Sequence, residues 1–515
     1  MSHPLRRVAC PIAAVAAVGL TSILPAASRT ALAQTPGQRV GDVSFENSGA
    51  REAQRDFLLG LALLHSFEYP DARERFRAAQ EIDPGFVMAY WGEAMAWNYP
   101  LWYEQDAKAA REILRRLAPT PAERLAMAAS EREREWLGAV ETLYGEGDKQ
   151  SRDDAYERAM ARIHQRWPDD PEAGAFYALA ILGTAHEGRD HATYMRAAAI
   201  AQNVFQSHPE HPGAAHYLIH SFDDPVHAPL GLPAARTYSR IAPDADHAQH
   251  MTSHIFLALG MWDDVVLANE TADGVVDRAR AAAEREPSFC GHYNEWLLYG
   301  YLMEERNRDA YSLLLGCHAS AETGPDFLAA SFSDMRSRYV IDSGDPGGSA
   351  LALSAPYGKR AGPPLRDAWL AGYVAGRRAD AAGVRRALSD FRRLRPAAEM
   401  EMEQEGLTDL TYAERPAVLE KQLEGLLRIA EGDIDAGIAR VAEAAEDEAG
   451  LPLAYGPPVI EKPSYELLGE LLLESGRADE AETAFEAAVE RTPGRVPAVR
   501  GLEAARVAAS RVEDG

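Results

Sequence analysis

The chain has 515 residues, 46% of them hydrophobic and 26% charged, with a formal net charge of −26 at pH 7. That supplies apolar material for several domains or for one long repeat array. So acidic a surface excludes a nucleic-acid partner, because phosphate binding needs clustered Lys and Arg.

The first residues follow the pattern of a secretory signal. Arg6 and Arg7 precede an apolar run from Val8 to Leu20, and Ala31-Leu32-Ala33 is a small-x-small cleavage site. The run is too short to span a bilayer, and no transmembrane segment is expected elsewhere. The expectation is a periplasmic or secreted protein cut after Ala33, with Sec and Tat export both open. The expected organisation is a signal peptide over 1–33, a mobile N-terminus over 34–50, an N-terminal helical array over 51–341 with a His-rich centre, and a C-terminal array over 349–510.

Residues 54–83 read as a helical hairpin. Gly60, Ala72 and Ala79 let its two helices approach closely, Phe76 fills the gap to the next hairpin, and Pro84 stops the second helix. The next unit begins at Phe86 and holds Tyr90, Trp91, Trp97, Tyr99, Trp102 and Tyr103. These aromatics can pack between repeats or grip a peptide or small ligand. Helices are expected over 106–117, 121–144, 153–167 and 171–185.

Residues 212–259 then concentrate six of the chain's 15 histidines: His216, His220, His227, His247, His250 and His254. His216/His220 and His250/His254 are i,i+4 pairs, so each pair shares one helix face. The two pairs are one 34-residue period apart, the length of one helical-hairpin repeat. Equivalent helices of stacked repeats lie side by side, which brings the four rings together. His227 is expected to begin a second helix, and His211 to lie solvated in a Pro-rich turn.

Cys290 and Cys317 sit at the two ends of the following hairpin, 290–303 and 306–317. They are expected either as a disulfide in an oxidising compartment or as two buried small residues. A helix over 325–341 leads to a Gly/Asp-rich break at 342–348, the expected boundary between the arrays. Helical pairs resume over 365–393 and 412–446, and Gly456-Pro457-Pro458 interrupts them. Tyr465, Leu468, Gly469, Leu472, Gly476, Ala481, Phe485, Ala488 and Pro493 mark a last hairpin, and 496–510 reads as a capping helix. No run alternates with period two over strand length, so little β-structure is expected.

The spacing of these small, aromatic and Pro residues resembles the tetratricopeptide repeat (TPR), most closely over 53–86 and 462–495. With its His-rich centre, the chain is similar to exported bacterial TPR proteins. The resemblance implies an all-α fold, a right-handed α-solenoid of stacked TPR-like hairpins whose first helices line a concave face. Positions two, five, nine and twelve of each unit would face that surface. On this register His216 and His220 are fifth and ninth, and Asp223 is twelfth. His247, His250 and His254 are second, fifth and ninth in the next unit. His186 is ninth one unit earlier, and His292 and Glu295 are second and fifth one hairpin later. Glu466 and Glu470 are fifth and ninth in the last unit, facing either the concave surface or solvent.

Imidazole is the commonest ligand for zinc and copper. The expected metal ligands are His216, His220, His247, His250 and His254. His186, Asp223, Asp224, His292 and Glu295 are expected as further ligands or as acceptors that orient the rings. The functional expectation is a zinc or copper site on the concave face. If the protein is an enzyme, this cluster carries the chemistry. The alternative is a metal-free interaction scaffold of the cell envelope, binding a peptide, an envelope protein or a small molecule in the groove. A repeat by itself specifies a fold and not an activity.

Overall fold

A computed structural model describes residues 38–344, 348–404 and 410–513. The expected signal peptide and the centre of the 342–348 break lie outside them. The described chain is all-α. It runs through α1 (Gln54–His65), α2 (Tyr69–Ile82), α3 (Val87–Met95), α4 (Ala107–Leu117), α5 (Pro121–Met127), α6 (Glu131–Leu143), α7 (Lys149–Arg166), α8 (Pro171–Leu182) and α9 (His191–Ser207). The centre holds α10 (Pro212–Phe222), α11 (Ala228–Ile241), α12 (Asp246–Ala258), α13 (Trp262–Ala282), α14 (His292–Met303), α15 (Asn307–Ala321) and α16 (Asp326–Asp342). The remainder is α17 (Gly362–Arg377), α18 (Ala381–Gln404), α19 (Leu410–Ala430), α20 (Ile434–Gly450), α21 (Ser464–Glu474), α22 (Ala478–Arg491) and α23 (Val496–Glu513). Consecutive helices pack as sequential pairs along the array.

The packing logic of the first and last hairpins is the same. Phe76 of α2 is fully buried and lies against Gly60 of α1 and Gly92 of α3. Phe485 of α22 is buried in the same way against Gly469 of α21 and Gly501 of α23. In each case one large ring fills the space that two missing side chains leave, and three helices share a single contact. Among the described residues the one strand pairing is short and antiparallel, Asn98–Tyr99 with Glu104–Gln105.

Three expectations are corrected. Residues 121–144 form two helices, because Ser130 and Glu133 build a capping box that starts α6 just after α5 ends. Residues 38–50, expected as a mobile N-terminus, pack against the array. Val40 and Phe45 are buried there, Phe45 lies 5.0 Å from Trp136 and 5.6 Å from Phe57, and the Ser48 amide donates to Glu133 Oε1 at 2.7 Å. The apolar core also continues across the expected boundary near 342–348. Phe332 and Met335 of α16 share one core with Leu365 and Trp369 of α17. The change of core comes earlier, around α13, between the cluster ending at Val265 and the one beginning at Cys290.

The array also touches itself across a long sequence separation. Gly260, in the turn between α12 and α13, meets Gly494, in the turn between α22 and α23. Both have positive φ (67° and 71°), and a Cβ on Gly260 would lie 2.8 Å from the Gly494 Cα. Trp262 Nε1 donates to the Gly494 carbonyl at 2.8 Å. Beside this contact Arg495 is 1% exposed and donates to Asp342 of α16 and Glu466 of α21.

Candidate metal centre

Three first helices of successive hairpins, α10, α12 and α14, build the site. His211 caps α10, its Nδ1 accepting the Ala214 amide at 3.1 Å, and Pro212 takes the first helical position. Gly213 is needed where α10 passes α1, since a Cβ there would lie 2.3 Å from His65 Nδ1. Every residue of α10 is buried, so its two histidines have no route to bulk water along the helix.

The structure gathers six histidines into two sets of three. One ring nitrogen from each of His216, His220 and His247 lies within 4.8 Å of the others. The same holds for His250, His254 and His292. His292 is exposed at one edge, and the other five are buried.

The hydrogen bonds fix which ring nitrogens carry protons. His250 Nδ1 donates to Asn269 Oδ1 at 2.7 Å, and the amide cannot present its nitrogen instead, because Asn269 Nδ2 donates to the Val265 carbonyl at 2.8 Å. His254 Nδ1 donates to Asp223 Oδ2 at 2.5 Å. In neutral rings both Nε2 atoms then carry bare lone pairs, and they face each other at 3.2 Å. Two lone pairs at that separation repel unless a metal cation or a proton lies between them. Two nitrogens bound tetrahedrally to one ion at roughly 2.0–2.1 Å would stand about 3.3 Å apart.

In the first set only one ring of the i,i+4 pair is fixed in this way. His216 Nδ1 donates to the His65 carbonyl at 2.7 Å, which leaves its Nε2 bare, 3.1 Å from His220 Nε2. His220 Nδ1 and His247 Nε2 are buried without a hydrogen-bond partner, an expensive condition for polar atoms. Burial lowers the pKa of His216 to about 3. Burial first and the neighbouring histidines second push His220, His247 and His250 well below the ordinary imidazole range. These rings are neutral donors at pH 7.

His220, His247, His254 and His292 line a cavity of about 950 Å³, counting the part open to solvent, together with Trp102, Tyr103, Tyr194, Trp296 and Tyr455. Trp296 lies 4.3 Å from the His254 ring, and Phe67 lies 4.3 Å from that of His216. Phe67 follows α1 in a left-handed conformation, φ 57°. Tyr455 comes from the loop 451–463, where the Gly-Pro-Pro interruption falls. It hydrogen-bonds Tyr194 and lies 5.6 Å from the His220 ring. A C-terminal segment thus closes over a site built by the centre of the chain.

Not every expected residue joins the cluster. Asp223 orients His254, as an acceptor and not as a third donor to the set. Asp224 pairs with Arg189 at 2.8 Å and with His227 at 2.9 Å, one residue too far along to reach the rings. Arg189 in turn donates to the His220 carbonyl at 3.1 Å. His186 lies beyond the end of α8 and faces Asp154 of α7 at 3.4 Å. Glu295 points toward α16, where Ser331 donates to it at 2.5 Å. Burial first and Asp334 second raise its pKa to about 7. His227 precedes α11 without a side-chain cap. His211, expected in solvent, is 2% exposed.

A neighbouring cluster of His65, Glu172 and His211 has the ligand types of a metal site but is closed by hydrogen bonds. His65 donates from Nε2 to Glu172 at 2.7 Å, and its Nδ1 accepts from Tyr217 at 2.9 Å. His211 Nε2 donates to the second Glu172 oxygen at 3.2 Å. Burial pushes Glu172 up, but His211 and His65 more than offset it and hold the carboxyl below its usual range. With every ring nitrogen satisfied, this cluster fastens α1 and α8 to α10 and offers its backbone carbonyl to His216.

The expected disulfide between Cys290 and Cys317 is formed, with Cα atoms 4.8 Å apart. Glu466, for which a solvated face was one expectation, is buried and ion-paired with Lys462 and Arg495. Of the aromatics near residue 90, Trp91 is core, 5.2 Å from Trp136, while Trp102 and Tyr103 reach the cavity. Phe67, Asn269, Trp296, Tyr194 and Tyr455 escape sequence reading. For Tyr455 the only signal is the break in helical pattern beside it.

No protein-family model and no curated protein matches the chain. Among solved structures it is similar to yeast Tom70, at 11% identity over 90% of each chain and a TM-score of 0.28. It is similar to human IFIT1 in a dimer with PPP-AAAA, at 13% identity over 90% of this chain and 96% of that one, with a TM-score of 0.37. The TPR domain of P58(IPK) matches at 14% identity over 90% of this chain and all of the other, with a TM-score of 0.22. The likeness extends no further than an all-helical architecture. Among the described residues no helix is long and apolar enough to cross a membrane.

Proposed function

We propose that this chain is an exported helical-repeat protein that binds zinc or copper through the histidines of α10, α12 and α14. The observation that carries the reading is the His250–His254 pair. Both Nδ1 protons are committed to fixed acceptors, and the two bare Nε2 atoms meet at 3.2 Å in a buried place. Asn269 and Asp223 play the part that outer acceptors play around metal-bound imidazoles, fixing the tautomer and raising ligand basicity. Three imidazoles with a position open to a cavity are the donor set of a reactive site more than of a sealed structural one. The ion would act as a Lewis acid on a ligand in the aromatic cavity or on a bound water. Export is supported by the leader-like first 33 residues and by the disulfide.

The rival reading, a groove for an extended peptide, is disfavoured by the insertion of Tyr455 and its loop against the histidines. Metal content decides between the two. Protein purified without an affinity tag and dialysed against a weak chelator should retain zinc or copper, and His250→Ala should lose it. A metal-free wild type that takes up none on addition of either ion would leave the scaffold.

A further inference from the structure

We infer that the cluster is a two-ion centre: His216, His220 and His247 hold one ion, His250, His254 and His292 hold a second, and both face one aromatic cavity. This rests on the metal reading above and goes beyond it in number, ligand assignment and shared access.

The first support is a rule of construction that occurs twice. Each set takes an i,i+4 pair from the first helix of one hairpin. Each completes it with a histidine from the first turn of the next hairpin's first helix. His247 is the second residue of α12, and His292 is the first residue of α14. The linear spacings differ because the intervening helices differ. α11 has 14 residues and α13 has 21, so the chain takes longer to return to the site the second time. A single site with spare ligands has no reason to repeat its own layout in consecutive hairpins. Two equivalent sites have that layout by stacking alone.

The second support is that no acceptor is shared between the sets. The acceptors that fix the tautomers belong to different elements: the end of α1 for His216, α13 for His250, and the residue after α10 for His254. Each i,i+4 pair brings its Nε2 atoms to nearly the same separation, 3.1 and 3.2 Å. Each set therefore has its own focus, and the six rings do not converge on one point.

The third support is adjacency. Across the divide the His220 and His254 rings have centroids 5.6 Å apart, and His247 and His250 are 6.0 Å apart. Both sets contribute to the wall of the same cavity, His220 and His247 from the first and His254 and His292 from the second. Two ions held in this way present their open positions to one bound molecule. That is the arrangement by which paired ions clamp both ends of a reacting group. The fit is to a small, largely apolar or aromatic molecule with an oxygen donor, since the rest of the wall is aromatic and aliphatic apart from one cation, Arg189.

The test counts ions. Full-length protein without a tag is stripped with chelator, then titrated with Zn²⁺ against a competing chromophoric chelator. The expected stoichiometry is two tight ions per chain, falling to one in His292→Asn and to one in His247→Asn. His292 is exposed, so His292→Asn is the variant least able to disturb folding, and far-UV circular dichroism checks this. One tight ion in the wild type, lost in either variant, would overturn the two-ion centre and leave a single metal site. No tight ion would overturn the metal reading itself. In the same protein loaded with Cu²⁺, dipolar broadening of the electron paramagnetic resonance spectrum is expected at two equivalents and absent in His292→Asn. Two unbroadened signals would overturn adjacency.

Discussion

Asp223 accepts the Nδ1 proton of His254 at 2.5 Å, with the carboxylate at the end of α10 and the imidazole near the middle of α12. The bond joins two consecutive hairpins at the point where their histidine sets adjoin. Acceptors of this kind set the basicity and tilt of a metal-bound ring. Asp223→Asn should therefore weaken metal binding by roughly 10–100-fold while the helical content stays unchanged. Competition against a chelator of known affinity measures this. Unchanged affinity would mean that His254 is not a ligand, or that the carboxylate does not tune it.

The disulfide closes a 27-residue separation between the start of the α14–α15 hairpin and its return. Constraint of that loop in the unfolded chain stabilises by about 3–4 kcal/mol. Cys290→Ser with Cys317→Ser should lower the unfolding midpoint in urea, and reductant should reproduce the loss in the wild type. Equal midpoints with and without reductant would contradict it.

Glu466 supplies a pH dependence with a definite sign. Burial pushes its carboxyl up, but Arg495 and Lys462 more than offset this and hold it at about 2. A depressed carboxylate stabilises above its unfolded pKa near 4.5, and the contribution is lost as pH falls from there to about 2. The amount at stake is about 3 kcal/mol. Denaturant unfolding at pH 7 and pH 3 should show wild type losing more stability between the two than Glu466→Gln. At pH 7 the variant should be the weaker of the two, since it leaves Lys462 and Arg495 buried beside a neutral amide.

Gly456 holds the loop 451–463 against the site. Its φ is 78°, and a Cβ there would lie 2.2 Å from a ring carbon of Trp296. Gly456→Ala should lift the loop, cost about 1–3 kcal/mol, and expose 451–463 to limited proteolysis in the native state. Retention of wild-type protease resistance would show that the loop is not seated through this residue.

Much of this was legible in the residues. The 34-residue echo between His216/His220 and His250/His254 follows from helix period and repeat length, both local properties, and the structure brings those rings together. The Phe76 and Phe485 packing was legible for the same reason, while the Cys290–Cys317 disulfide was one of two readings the sequence left open. His186 and Glu295 fit the register but not the site. His186 falls past the end of its helix, and Glu295 sits on a face of α14 that turns toward α16. Asn269, Phe67 and Tyr455 were hidden because their contacts depend on how hairpins far apart in sequence meet, which no local pattern encodes. Glu466 was open to a solvated reading because an acidic helix face is usually wet. Its burial depends on Arg495 arriving from the final turn.

The touching turns at Gly260 and Gly494 bear on how this protein would answer to force. An open coil of hairpins can lengthen like a spring, each junction yielding a little. Here two windings are fastened together by backbone against backbone, so the stretch between them behaves as a buckled belt. Pulling on the ends would load α10 and α12 directly, but would have to unclasp that buckle before α14 felt any load. A bulkier residue at either glycine would turn the belt back into a spring.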